Sequence, residues 1–247
     1  MSFQDHFSGH AADYARYRPD YPDELFAWLA GQVPAHELAL DVATGNGQAA
    51  HGLVRHFVRV RASDASAAQL AEAPADPRIS YVCEAAEQCA LPDASVDLIT
   101  VAQALHWLDQ PRFFAEVKRL LKPGGALAVW HYPRLKVGGE LGAVFEAFHA
   151  TVAPYWPPER LLVEQGYQTI AWPFPAEPTP AFALERHWDL AALLGYLGSW
   201  SSTRRAAQAL GRDPVAAYTP RFAAAWGAET THLFRWPLQL YLGHRPV

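Results

Sequence analysis

A chain of 247 residues, 51% hydrophobic and 18% charged, can bury a sizeable core, either as one α/β domain with insertions or as a domain with a small cap. Its formal net charge of −5 argues against a dedicated nucleic-acid binder, which would show a basic footprint, but leaves local arginines able to act on an acidic small molecule. Cys83 and Cys89 make neither a disulfide framework nor a zinc spacing. No apolar run approaches the roughly 18 residues of a membrane span, and Met1 leads into a polar segment, so a cytoplasmic protein without signal peptide or membrane partner is expected.

Residues 1–35 read as entry helices that form an N-terminal cap segment. Asp23 follows Pro22 there, and Leu25, Trp28 and Leu29 make an apolar stripe. From 36 to 131 the chain alternates. β-like runs fall at Leu38–Val42, Val58–Ala62, Ile79–Cys83, Val96–Ala102 and Ala126–Trp130, with helices at about 47–57, 66–73 and 111–121. The last helix has Asp109 and Pro111 as start signals, and Phe113, Val117, Leu120 and Leu121 as its buried face. Such alternation implies βαβ units, a parallel sheet and helices on both faces. Residues 132–181, rich in Pro and aromatics, break the rhythm. With one helix at about 139–153, they read as a substrate-cap insertion. Residues 182–247 carry two more expected strands, 182–188 and 233–242, with helical segments between, and complete the sheet and the cap.

The chemistry concentrates in Leu40–Ala50, L-D-V-A-T-G-N-G-Q-A-A. An apolar run ends on Asp41 and opens into a small-residue turn, after which Ala50, Leu53, Val54 and Phe57 recur with helical spacing. Glycines let backbone approach a ligand and turn a helix N-terminus toward it. A carboxylate beside the loop is unwelcome to a pyrophosphate and suits a ligand with a positive amino group, as S-adenosylmethionine has. Asp64 ends the second strand, where an acid accepts from ribose hydroxyls. Ala86 and Glu87 follow the third strand, where a backbone amide and a polar side chain can meet an adenine edge. Gln103, His106 and Trp107 fall beyond the carboxyl end of the fourth strand, where ligands of open parallel sheets sit. Lys122-Pro123-Gly124-Gly125 is a helix stop and tight turn.

These blocks, in this order, resemble class I S-adenosylmethionine-dependent methyltransferases of the type 11 group, most clearly over residues 37–131. Three further segments look like the trans-aconitate methyltransferase-like subgroup: Phe7–Pro22, Val101–Trp107 and Pro154–Arg160. The resemblance implies a doubly wound, mostly parallel, seven-stranded Rossmann-like sheet with an antiparallel last strand. A helical cap would come from the N-terminus and the late insertions. It implies that Asp41 and Gly45–Gly47 hold the methionine part of the cofactor, with Gln103 under the methionine chain. Asp64 would take the ribose, and Ala86 and Glu87 would border adenine. Tyr14 and Arg18 would reach the cofactor carboxylate. The family pattern has glycine where this chain has Ala43, so Ala43 is expected at negative φ, where alanine is tolerated.

Methyl transfer needs orientation and desolvation from the protein, and no metal. No histidine spacing suggests a metal ligand set. A carboxylate acceptor is already ionised at neutral pH, whereas an alcohol or amine wants a base, for which His106 or His131 would serve. A carboxylate also calls for an arginine clamp, with Arg16, Arg160, Arg186, Arg204 and Arg205 as candidates. Trp107, Tyr132, Trp156 and Trp200 would shape the pocket. The expected activity is methylation of a small molecule, such as O-methylation of a carboxylic acid, by a monomer or homodimer. Alternatives are a catalytically silent S-adenosylmethionine-binding protein and an NAD(P)-dependent oxidoreductase, since Gly45–Ala50 also fits G-x-G-x-x-A.

Overall fold

The computed structural model describes residues 20–247. The first helix, α1 (Asp23–Ala30), opens behind Pro22 with Asp23 and Glu24 in its first turn, where carboxylates meet the positive end of the helix dipole. It is followed by β1 (Leu38–Val42), α2 (Gln48–Leu53), β2 (Arg59–Asp64), α3 (Ala67–Ala71), β3 (Ile79–Cys83) and β4 (Val96–Ala102). Next, α4 (Gln110–Leu120) is capped by Asp109, whose carboxylate accepts the Arg112 N–H at 3.3 Å. It passes directly into β5 (Leu121–His131), which starts at Leu121 and not at Ala126. Lys122–Gly125 is an irregularity inside that strand, where the β4–β5 register shifts between Val96 and Leu98. A Cβ on Gly125 would lie 2.9 Å from the Asp97 carbonyl oxygen, so the close passage there requires glycine.

The main sheet runs β3-β2-β1-β4-β5-β8, with β8 (Gln239–His244) antiparallel to β5 and every other pairing parallel. Alternate residues of its strands feed two cores, as the two-residue period of a strand dictates. Ala39, Leu98, Ala126, Ala128 and Trp130 join α1 and α2 through Leu25, Phe26, Leu29 and Leu53. Leu40, Val42, Ile99, Val101, Leu127 and Val129 join the Phe113, Val117 and Leu120 face of α4. The mostly parallel Rossmann-like sheet with an antiparallel last strand is therefore present.

The strand count differs from expectation: the main sheet has six strands among the described residues, not seven. The stretch expected as one strand over 233–242 is two, β7 (His232–Pro237) and β8, divided at Pro237-Leu238. Pro237 has no N–H for a ladder, and the Leu238 N–H is taken by the Phe182 carbonyl at 2.8 Å. β7 pairs with β6 (Ala183–Trp188) in a separate antiparallel pair. Phe234 and Trp236 there pack against cap aromatics, including Tyr196 and Trp226. The cap itself contains α5 (Gly139–Val152), α6 (Arg160–Glu164), α7 (Leu190–Gly198), α8 (Ser201–Leu210) and α9 (Pro214–Trp226). Phe145, Phe148, Phe222 and Trp200 bind α5, α8 and α9 together, with ring centroids 5.9–6.0 Å apart. No helix among the described residues is long and apolar enough to cross a membrane.

Candidate active site

Strand order reverses between β1 and β4, and the ends of these strands open the crevice in which doubly wound folds bind ligands. Asp41 stands there, fully buried, with both carboxylate oxygens engaged. Thr100 Oγ1 donates to Oδ1 at 2.7 Å and Thr44 Oγ1 donates to Oδ2. Burial raises the Asp41 pKa to about 6, helped by the nearby charge of Asp64 and opposed by the two threonine bonds.

The loop after Asp41 departs from expectation at one residue. Ala43 has a φ of +52°, left-handed and not negative. The chain must turn sharply at the end of β1 for the Thr44 N–H to reach the Ser63 carbonyl on β2 at 2.9 Å, and a left-handed residue at 43 makes that turn. Alanine bears a strain of roughly 1–2 kcal/mol there. Gly45 and Gly47 are also left-handed, at +60° and +83°, and Gly47 caps α2. Asp64 ties the loop to the neighbouring element. Its Oδ2 accepts the Gly45 N–H at 2.9 Å and its Oδ1 accepts the Ser66 N–H at 2.8 Å, at the cap of α3.

The remaining expected residues fall along the same sheet edge. Ala86 is buried, and Glu87 Oε1 accepts the Asp109 N–H at 2.9 Å, bracing the loop before α4. Gln103 follows β4 at a φ of +57°, its N–H bonded to the Trp130 carbonyl at 2.9 Å. Its side-chain nitrogen is buried without a partner among the described residues. Tyr14, Arg16 and Arg18 lie outside the described residues.

A cavity of about 320 Å³ opens between these strand ends and the cap. Gln103, His106 and Trp107 line it from β4, and Tyr132 and Arg134 from the segment after β5. Trp156 and Arg160 come from the Pro-rich segment, and Trp200, Arg204 and Arg205 from the start of α8. All four expected aromatics and three of the five expected arginines thus converge. Arg186 does not, being paired with Asp20 at 2.6 Å. The Arg160 guanidinium lies over the Trp156 ring, 4.9 Å from its centroid. Arg134 pairs with Glu146 at 2.7 Å. Among the described residues the lining also holds one carboxylate, Glu164.

The two histidines differ in position. His106 lines the cavity, whereas His131, at the end of β5, does not and packs its ring against Tyr167 at 4.4 Å. Burial pushes His106 down to about 3 and His131 to about 4, with the Arg160 charge adding to both shifts. Both are neutral imidazoles at physiological pH.

The methyltransferase-domain profile of the type 11 group matches residues 40–129, which run from β1 through β5 and carry this edge. A Dictyostelium discoideum protein named as a methyltransferase is 34% identical over 204 residues, covering 81% of this chain and 78% of that protein. The chain belongs to the S-adenosylmethionine-dependent methyltransferases. The solved structure of an Anaeromyxobacter dehalogenans protein named as a type II methyltransferase is 41% identical, with a TM-score of 0.86. It covers 93% of this chain and 99% of that one. A Mycobacterium bovis methyltransferase described as uncharacterized is 37% identical over 142 residues, 56% of this chain and 58% of that protein. Membership in this family sets aside the nicotinamide-dependent reading of Gly45–Ala50.

Thr100, Gln69, Arg134 and Tyr167 are among the residues of this candidate site that escaped sequence reasoning. Thr100 faces Asp41 because the two are register partners across β1 and β4. Gln69, 5% exposed, places an unpartnered Oε1 beside Gly45, 3.7 Å from where a Cβ would stand. Arg134 and Tyr167 come from the cap region, where no periodic signal marks them.

Proposed function

We propose that this methyltransferase methylates a carboxylate oxygen of a small organic acid bound in the cavity beneath the cap. The observation that carries the reading is the gathering of guanidinium groups in one lining: Arg160, Arg204 and Arg205, with Arg134 held beside them by Glu146. Guanidinium forks bind carboxylates in a bidentate manner, and Arg160 is oriented by the indole beneath it. A carboxylate arrives without its proton and needs no base. Accordingly, burial holds His106 and His131 well below neutral pH and also lowers His149, the other histidine in the lining. The likeness of Phe7–Pro22, Val101–Trp107 and Pro154–Arg160 to trans-aconitate methyltransferase-like proteins supports the same class of acceptor.

The cofactor would lie along the β1–β4 edge, and two features there fit a ligand with polar groups. The Gln69 Oε1 is a buried acceptor with no partner among the described residues. The Gln103 side-chain nitrogen is a buried donor that likewise has no partner among the described residues. Asp41, braced by Thr44 and Thr100, would hold the amino group, with Gly45 and Gly47 giving close backbone approach. Asp64 would take the ribose and Ala86 and Glu87 the adenine. Gln103 would support the methionine chain, and Tyr14 and Arg18 would meet its carboxylate. Bound there, S-adenosylmethionine would supply an electrophilic sulfonium methyl for the acceptor oxygen, with S-adenosylhomocysteine as the leaving group. The arginines hold the acid in line, and the aromatic walls exclude water.

Calorimetry tests the reading. The protein saturated with S-adenosylhomocysteine is titrated with trans-aconitate and other small carboxylates, and separately with amines and alcohols. Carboxylates are expected to bind, and Arg204→Ala or Arg205→Ala to weaken them roughly 10- to 100-fold, the worth of a charge-assisted hydrogen bond. Binding of amines or alcohols, with every carboxylate silent, would contradict it.

A further inference from the structure

Tyr167 reaches the acceptor side of the site through a buried contact that neither the cofactor loop nor the arginine set uses. It stands at a φ of +56°, directly after Gly166 at +61°, in the turn beyond α6. That turn brings its hydroxyl oxygen to 2.9 Å from His106 Nδ1, and its ring against His131. A phenol has one hydrogen to donate and can accept at its oxygen. His106 Nδ1 is the one hydrogen-bond partner of the buried hydroxyl among the described residues, so the phenolic hydrogen is directed at Nδ1. The reverse arrangement, with Nδ1–H donating, would leave a buried phenolic hydrogen without a partner, at a cost of about 1–3 kcal/mol. A neutral imidazole that accepts at Nδ1 carries its proton on Nε2. His106 lines the cavity and Tyr167 does not, so the ring edge away from Tyr167 is the one that faces the acceptor.

We infer that Tyr167 is a positioning residue that holds His106 in its Nε2–H form, so that His106 meets the acceptor as a neutral hydrogen-bond donor and not as a base. The assignment rests on the reading of this cavity as the acceptor site. A donor at this point anchors one carboxylate oxygen and leaves the other to receive the methyl. The positive charge of Arg160 near His106, His131 and Tyr167 works against a second proton on either imidazole.

Nitrogen-15 histidine NMR of the full chain saturated with S-adenosylhomocysteine reads the tautomer with no acceptor present. His106, assigned by the signal missing from His106→Gln, is expected to be protonated at Nε2, and Tyr167→Phe to lose that preference. In turnover, His106→Leu is expected to raise the KM for a carboxylate acceptor roughly tenfold, the worth of one hydrogen bond. His106→Gln, whose amide places an N–H near the lost Nε2–H, is expected to recover most of that loss. Protonation at Nδ1 in the wild type overturns the inference, and so does His106→Gln falling as far as His106→Leu. If Tyr167→Phe does not fold, the wild-type spectrum decides. If carboxylates are not turned over at all, the acceptor reading fails, and the spectrum still decides separately whether Tyr167 sets the tautomer.

Discussion

Asp41 and Ala43 sit two residues apart and each bears a cost that the fold carries elsewhere. A buried carboxylate whose pKa is raised from 3.8 to about 6 takes up a proton on folding between those values. The folded state then binds more protons than the unfolded chain, so this group makes stability fall as pH rises from about 4 to about 6, on the order of 2–3 kcal/mol. Asp41→Asn is expected to remove that slope in urea unfolding followed across the window, and to weaken S-adenosylmethionine binding. Ala43 at a φ of +52° stores strain that glycine would not. Ala43→Gly is expected to raise the unfolding free energy by about 1 kcal/mol or less, since the added freedom of the unfolded chain offsets part of the relief. A loss of stability on that substitution would show that the methyl group packs usefully.

At the scale of elements, the strand–loop–helix unit from β1 to α2 depends on how near β3 lies. Gly47→Ala would combine a left-handed alanine with a clash at the Tyr81 hydroxyl, the nearest atom to the new Cβ. It is expected to cost roughly 1–2 kcal/mol from backbone strain alone, and more with the clash. Tyr81→Phe is expected to restore part of the difference in a double-mutant cycle read by denaturation. This unit was legible in the sequence because a strand, an acid, glycines and helical spacing fall in one short run, and β1, β3 and β4 have the bounds their apolar runs suggest. Ala43 was misjudged because the sign of φ depends on where Thr44 must bond, a contact to β2 that local sequence does not encode. The seventh strand failed for a related reason: the apolar run over 233–242 hides the break at Pro237, and only tertiary packing sends β7 to β6. Thr100 became visible only with the β1–β4 register, and Arg134 and Tyr167 only with the cap in place.

At the scale of the molecule, a Rossmann-like sheet presents its carboxyl edge to an aromatic, arginine-lined cap, so an acidic chain gathers guanidinium groups around one cavity. Charge placement, not net charge, therefore points to the acceptor. With burial holding His106 at about 3 and His131 at about 4, neither titrates near neutrality. The kcat for a carboxylate acceptor is expected to stay flat between about pH 7 and pH 8, above the Asp41 value of about 6, whereas an inflection that disappears in His106→Gln would reveal a working base. The most direct test of the central claim is mass spectrometry of the reaction of the wild-type protein with methyl-labelled S-adenosylmethionine and a set of small carboxylic acids, amines and alcohols. The expected result is a labelled methyl ester of at least one acid, formed in step with S-adenosylhomocysteine and lost when Arg204 and Arg205 are both replaced by alanine. Label appearing on an amine or alcohol, with no ester from any acid, would contradict it.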